Sequence, residues 1–215
     1  MKKLILTLAV ILFATFTAQI VLAQTSSKEA RKALKLKPPR EVKKQAKTYK
    51  KQGYTVAVGA PTIERQLTNA WLKQIEEDDK GYPKYFVANA TSVGETQIAA
   101  KLQATEAAKL TLAGDISTSV AALIENNFAN SQLNSEEATS VTQTIAASKS
   151  IIAQELGRTI TLIELYRNID KNTEANISIA YSVDLANEMA KKVIRKSLEE
   201  KTNLLQDKLD KLMNF

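Results

Sequence analysis

The sequence predicts an α+β domain: a small, mostly antiparallel sheet of about four strands packed against several helices, one of them long and central. Three observations lead there. Ile98, Leu102, Leu112, Ile116, Val120, Leu123, Ile124 and Phe128 recur at spacings of three, four or their multiples, which puts them on one face of the longest helical pattern in the chain. Ile177, Ile179, Tyr181 and Val183 alternate with Asn176, Ser178, Ala180 and Ser182, as in a strand with one face in and one face wet. Helices and strands are segregated along the chain instead of alternating as βαβ units.

The chain opens with Met1-Lys2-Lys3, a positive patch, followed by an apolar run from Leu4 to about Phe16. Val21 and Ala23 then occupy the −3 and −1 places of an export signal cleaved before Gln24. The stretch Leu4–Ala23 is also long enough to cross a bilayer, so a retained anchor is the alternative, weakened by three Thr and Gln19. Lys28 to Lys37 is basic and Pro38-Pro39 interrupts it. Arg40 to Gln52 reads as a second helix closed by Gly53. The predicted organisation is a signal over 1–23, a basic helical arm over 24–53 and a single α+β domain with a C-terminal helix over 54–215.

Tyr54 to Val58 alternates as a short strand, and Gly59-Ala60-Pro61 leads into a helix with Pro61 at its first position. Ile63, Leu67, Trp71 and Ile75 follow at intervals of four, which makes Trp71 a core anchor, with a ligand platform as the alternative. Glu76-Glu77-Asp78-Asp79 lacks the alternating ligands and pivot Gly of a calcium loop and reads as a solvated turn. Tyr85 to Ala90 is a strand that turns through Thr91–Gly94, with Ser92 and Glu95 spaced as a capping box for the central helix. Ala104, Ala107, Ala108 and Leu110 fill the gap in its large residues, so the helix can lie close to a neighbour there.

After the link Asn130–Ser135, one helix carries Ala138, Val141, Ile145, Ile152 and Leu156 inward and ends at Gly157. Arg158 to Asn168 reads as a strand whose alternation slips between Leu162 and Ile163, a sign of a bulge or of burial on both faces. Asp170–Thr173 has the length of a hairpin turn. Asp184 can cap the last helix, which buries Leu185, Met189, Val193, Ile194 and Leu198. Its tail continues as Leu205, Leu209 and Leu212 among charges; projecting to pair with a second copy is one reading, but two turns of heptad spacing are too short to specify a coiled coil.

Composition limits the chemistry. Neither Cys nor His occurs, which removes thiol and imidazole catalysis, disulfides and the usual zinc sites. No cofactor, metal or catalytic motif stands out. The net charge of +7 is unevenly spread: eleven Lys/Arg and two Asp/Glu between Lys28 and Lys51 give +9, Lys2 and Lys3 add two, and the rest carries −4. On the second helix Arg40, Lys43, Lys44, Lys47, Lys50 and Lys51 share one face beside a thin stripe of Val42, Ala46 and Tyr49. That face is either solvated with its stripe docked, or a contact for anionic lipid, glycan or polymer. An exported chain does not ordinarily meet nucleic acid, despite the charge. Glu95, Glu106, Asp115 and Glu125 lie along the central helix pattern, scattered around it, where a glycan hydrolase needs two carboxyls facing one cleft.

Two pieces carry a family resemblance: Tyr85-Phe86-Val87 with Val93-Gly94-Glu95 and the alanine-punctuated helix through Leu112-Ala113-Gly114-Asp115-Ile116, and the late hairpin followed by a helix. Over roughly Tyr54 to Lys196 the chain resembles the LPP-twenty family of small envelope lipoproteins named from Helicobacter, whose domain is similar to modules of flagellar-assembly periplasmic proteins. As a whole it also looks like exported proteins of the Bacteroides group. The resemblance implies an α+β envelope domain associated with the outer membrane and carries over no enzymatic residues. The chain departs from the family in having no Cys to lipidate. The expected function is a non-enzymatic exported protein, periplasmic or outer-membrane-associated, that binds an envelope protein or, as the alternative, an anionic surface through the basic arm. A carboxylate-based glycan hydrolase is the third reading.

Overall fold

The computed structural model describes residues 39–214. The chain divides into two units at Pro39/Arg40, and every element named in this subsection belongs to the second. The export signal, its cleavage before Gln24, the alternative anchor and the basic run Lys28–Lys37 lie outside the described residues. The elements are α1 (Arg40–Lys51), α2 (Ile63–Gln74), β1 (Tyr85–Gly94), α3 (Gln97–Glu125), α4 (Phe128–Ser131), α5 (Ser135–Ala147), α6 (Lys149–Glu155), β2 (Ile160–Ile169), β3 (Asn172–Ser182), α7 (Val183–Lys201) and α8 (Gln206–Leu212).

The class is α+β, with an antiparallel sheet in the order β1-β3-β2. The sheet has three strands among the described residues, not about four. The expected strand Tyr54–Val58 shrinks to one bridge, in which Thr55 N–H donates to Tyr166 O at 2.7 Å and Tyr166 N–H donates back at 2.9 Å. A turn closed by Ala60 N–H on Ala57 O, with Gly59 at φ +81°, leaves no length for a ladder.

β1 is longer than expected. It pairs with β3 from Tyr85↔Ser182 to Gly94↔Thr173, so Thr91–Gly94 is ladder, not turn. The Ser92–Glu95 capping box therefore does not form. Thr96 caps α3 instead, its Oγ1 accepting from Ala99 N–H at 3.2 Å. Gly94 is required by close approach: a Cβ there would sit 2.6 Å from the backbone N of Ala100. The slip at Leu162/Ile163 is a bulge, where the β2–β3 register shifts between Thr161 and Ile163. The hairpin turns on Asp170-Lys171, with Asp170 at φ +52°, a conformation Asp tolerates better than most residues.

α3 lies across β1 and β3 and is the central core helix. Its buried face is Ala100, Ala104, Ala108, Leu112, Ala113, Ile116, Val120 and Ile124, each with no exposed surface. Ile98 and Leu102, expected on that face, are 80% and 62% exposed, and Leu110 also points outward. Over the first half of α3 two stripes compete, one of alanines and one of large residues. The helix approaches the sheet so closely that only the alanine stripe fits. By length and composition α3 could also cross a bilayer, but its sealed stripe is committed to the sheet and to α6 and α7.

The helix expected from Ser135 to Gly157 is two helices broken at Ser148, which is fully buried and bonds back through Oγ to Thr144 O at 2.8 Å. Val141, Ile145, Ile152 and Leu156 do face inward. Asp184 does not cap α7: Ser182 holds the N-cap position, without a side-chain cap bond, and Asp184 lies in the first turn, where its charge suits the helix dipole. Leu185 is 55% exposed; Ala186 and Ala190 take the inward places beside Ile194 and Leu198. The C-terminal tail does not project. Thr202 is extended and ends α7, and α8 folds back so that Leu209, Leu212 and Met213 are buried. Asn127 Nδ2 donates to Leu212 O at 3.2 Å and to Asn214 O at 3.1 Å, fixing the return.

The second face of β3 is not wet. Glu174, Ser178 and Ala180 are buried there, beneath α1 and α2. Pro61 precedes α2 by two residues and Thr62 is its N-cap. Trp71 packs, partly buried, against this second core, while Ile75 is half exposed. In the acidic turn Asp78 Oδ1 accepts from the backbone N–H groups of Lys80 and Tyr82 at 2.8 and 2.9 Å, and Glu77–Asp79 stay exposed.

Candidate functional site

The site is built on α1. Val42 and Ala46 are buried against the second core, at 5% and 3% exposure, which turns the opposite side of the helix outward. The helix ends in a Schellman motif: Tyr54 N–H donates to Tyr49 O at 3.0 Å and Gly53 N–H to Lys50 O at 3.1 Å, with Gly53 at φ +82°. The apolar contact that accompanies such a cap is the edge-on pair of Tyr49 and Tyr54, with centroids 5.2 Å apart.

Tyr54 anchors this end. Its hydroxyl donates to Glu174 Oε1, and Arg167 grips the same carboxylate with Nε at 2.7 Å and Nη2 at 3.2 Å. The Arg167 guanidinium also lies 4.9 Å from the centre of the Tyr54 ring. Burial, then the bond to Glu174, pushes the Tyr54 hydroxyl up to about 12. Burial alone would raise Glu174, but its bonds from Arg167 and Tyr54 outweigh that and hold it below its ordinary value. These three groups are a structural clamp, not a free acid–base pair, because each is committed to the others. The clamp is legible in the hairpin. Folded on Asp170-Lys171, Arg167 and Glu174 come directly opposite as a cross-strand ion pair.

All six cations singled out on α1 are exposed: Arg40, Lys43, Lys44, Lys47, Lys50 and Lys51. Among the described residues none of them forms an ion pair; Glu41 is the only acid on α1. Elsewhere among the described residues paired and unpaired cations are mixed, and what sets α1 apart is that its six lie on one helix face. Lys73 and Lys84 meet Glu76, Lys101 meets Glu164, Lys208 meets Glu137 at 2.7 Å, and Arg195 meets Glu199 and Asp210. A docked helix therefore carries a row of uncompensated positive charge on a rigid base.

Beneath α1 lies a cavity of about 260 Å³, lined by α1, α2 and the sheet and open to solvent on the side of the exposed Glu41, Gln45, Gln74 and Asn89. Val42, Leu67 and Ile163 form its apolar lining, and Tyr49 and Trp71 border it. A larger groove of about 620 Å³ runs between α3 and the α5–α6 pair, with Asp115 and Lys149 at its edge. Of the four carboxylates noted along the central helix pattern, Glu95 lies before α3 and Glu106, Asp115 and Glu125 lie on it; all four are exposed. Even the nearest pair, Glu106 and Asp115, is separated by nine residues of helix, roughly 13 Å along its axis against the 5–10 Å about which a glycosidase pair is built. Compared with known proteins, the chain matches no family model, no curated protein and no solved structure.

Proposed function

We propose that the protein is a non-enzymatic exported envelope module that holds an anionic surface, lipid, lipopolysaccharide or cell-wall polymer, through the outer face of α1. The observation that carries this reading is the row Arg40, Lys43, Lys44, Lys47, Lys50 and Lys51, exposed and without a carboxylate partner among the described residues. Leaving like charges unpaired on one helix costs stability through repulsion, and an anionic partner relieves that cost. The other face of α1 is docked, so the charges are presented without the ordering cost a free arm would incur on binding. The signal-like residues Met1 to Ala23 and the resemblance to envelope lipoproteins support export.

The test is sedimentation with vesicles. Full-length mature protein should pellet with phosphatidylglycerol-containing vesicles, not with purely zwitterionic ones, and should be released as the ionic strength rises about tenfold. The triple variant Lys43→Glu, Lys47→Glu, Lys50→Glu should lose binding while keeping its thermal midpoint. Binding indifferent to both salt and charge reversal overturns the reading. Mass mapping of the protein from cells should find Gln24 at the N-terminus.

A further inference from the structure

We propose that the cavity beneath α1 is a second, separate binding site that takes one neutral sugar ring. Ser178 is 1% exposed, borders the cavity, and its Oγ has no hydrogen-bond partner among the described residues. Buried hydroxyls are nearly always satisfied, by protein, by water or by a ligand, because an unmet one is costly. β3 puts Ser178 here because it is the central strand, and the cavity is the space left above it where α1 and α2 do not close.

The surroundings specify the ligand. At about 260 Å³ the space is just below the usual range for small-molecule sites, so it admits a single ring and not a chain. Tyr49 and Trp71 offer aromatic surface, which suits the C–H face of a pyranose, and Tyr49 is held in place by its contact with Tyr54. Asn176 gives one amide N–H to Thr91 Oγ1 at 3.2 Å, which leaves its carbonyl oxygen uncommitted, and the Asn89 amide is uncommitted as well among the described residues. Donors and acceptors are thus mixed, as hydroxyl groups require. The one ionisable carboxylate on the rim is Glu41, and no cation lines the cavity among the described residues, so an anionic sugar is disfavoured. The site is independent of the vesicle-binding reading, since it uses the opposite side of α1.

Trp71 is the only Trp in the chain, so its emission reports on this cavity alone. Full-length mature protein would be titrated with glucose, galactose, N-acetylglucosamine and the disaccharides cellobiose and chitobiose, following Trp71 emission and calorimetric heat. The expected result is saturable binding of at least one of them, unchanged by salt and by the triple Lys→Glu variant. Tighter binding of a disaccharide would identify the end of a polymer as the source, equal binding a free sugar. Ser178→Ala, which keeps the fold, should weaken the affinity about tenfold, the loss of one hydrogen bond. No saturable signal from any of the five by either method overturns the proposal. So does wild-type affinity in Ser178→Ala, which would mean that Ser178 holds water only.

Discussion

The two faces of the sheet are sealed in opposite ways. Against α3, Ala88, Ala175, Ile177 and Ile179 meet Ala100, Ala104 and Ala108, an apolar seam of small and branched side chains. Against α1 and α2 the sheet buries Glu174, Ser178 and, from α2, Gln66, whose Oε1 accepts from Glu164 N–H at 2.7 Å. It leaves a cavity there as well. Small side chains let backbones approach closely, so the first face is packed tightly and holds the fold together. The second face keeps room and hydrogen-bonding capacity, and its covering helix carries the unpaired cations. Close apolar packing and unmet hydrogen-bonding capacity are separated by the thickness of one sheet.

The largest test of that contrast is a pair of truncations. Leu112→Ala, at a fully buried position on the α3 side, should cost about 4–5 kcal/mol. Leu67→Ala, beside the existing cavity, should cost about 2–3 kcal/mol, because less packing is lost there. Urea midpoints at constant m decide it, and equal losses break the comparison.

Next is Glu174→Gln, expected to cost about 1–3 kcal/mol at neutral pH by leaving Arg167 without its carboxylate. The carboxyl is held below its ordinary value of 4.5, so its contribution is complete above that pH and is lost as pH falls through the depressed folded value. The variant should therefore show a shallower acid slope than the wild type. Tyr54, raised from 10.0 to about 12, works with the opposite sense: its contribution is complete below pH 10 and is lost as pH rises toward 12. Tyr54→Phe should flatten that alkaline limb, measured as the thermal midpoint against pH.

The smallest expected effect is Ser178→Ala, within about 0.5 kcal/mol of wild type or slightly stabilising, because it removes a hydroxyl that nothing among the described residues satisfies. A loss of more than about 1 kcal/mol in calorimetry would mean that the second face is as closely satisfied as the first.

Much of the fold is legible in the chain, and the departures have a common cause. The Gly53 cap, the bulge at Leu162/Ile163 and the hairpin at Asp170-Lys171 are written in neighbouring residues, where backbone chemistry acts. The misplaced residues, Ile98 and Leu102 on α3 and Leu185 on α7, share the assumption that the largest apolar side chain marks the inner face. In both helices alanines, Ala100 and Ala104 or Ala186 and Ala190, face the core instead. The wet face expected on β3 fails for a related reason. Its polar residues are plain in the alternation, but a strand cannot announce which helices will cover it. Of the site, the cationic row on α1 is visible as a helical stripe, while the cavity and the unmet hydroxyl of Ser178 exist only where three elements meet.

By itself, then, the sequence determines the α+β class, the hairpin with its bulge, the cap that ends α1 and the face on which its cations lie. Each follows from side-chain periodicity or from a turn within a few residues. Only the tertiary structure decides that β1 runs ten residues, that the C-terminal tail folds back, that alanines seal α3 to the sheet and that a cavity remains beneath α1. These depend on how closely separate elements approach one another, and that is set by the fit of whole surfaces.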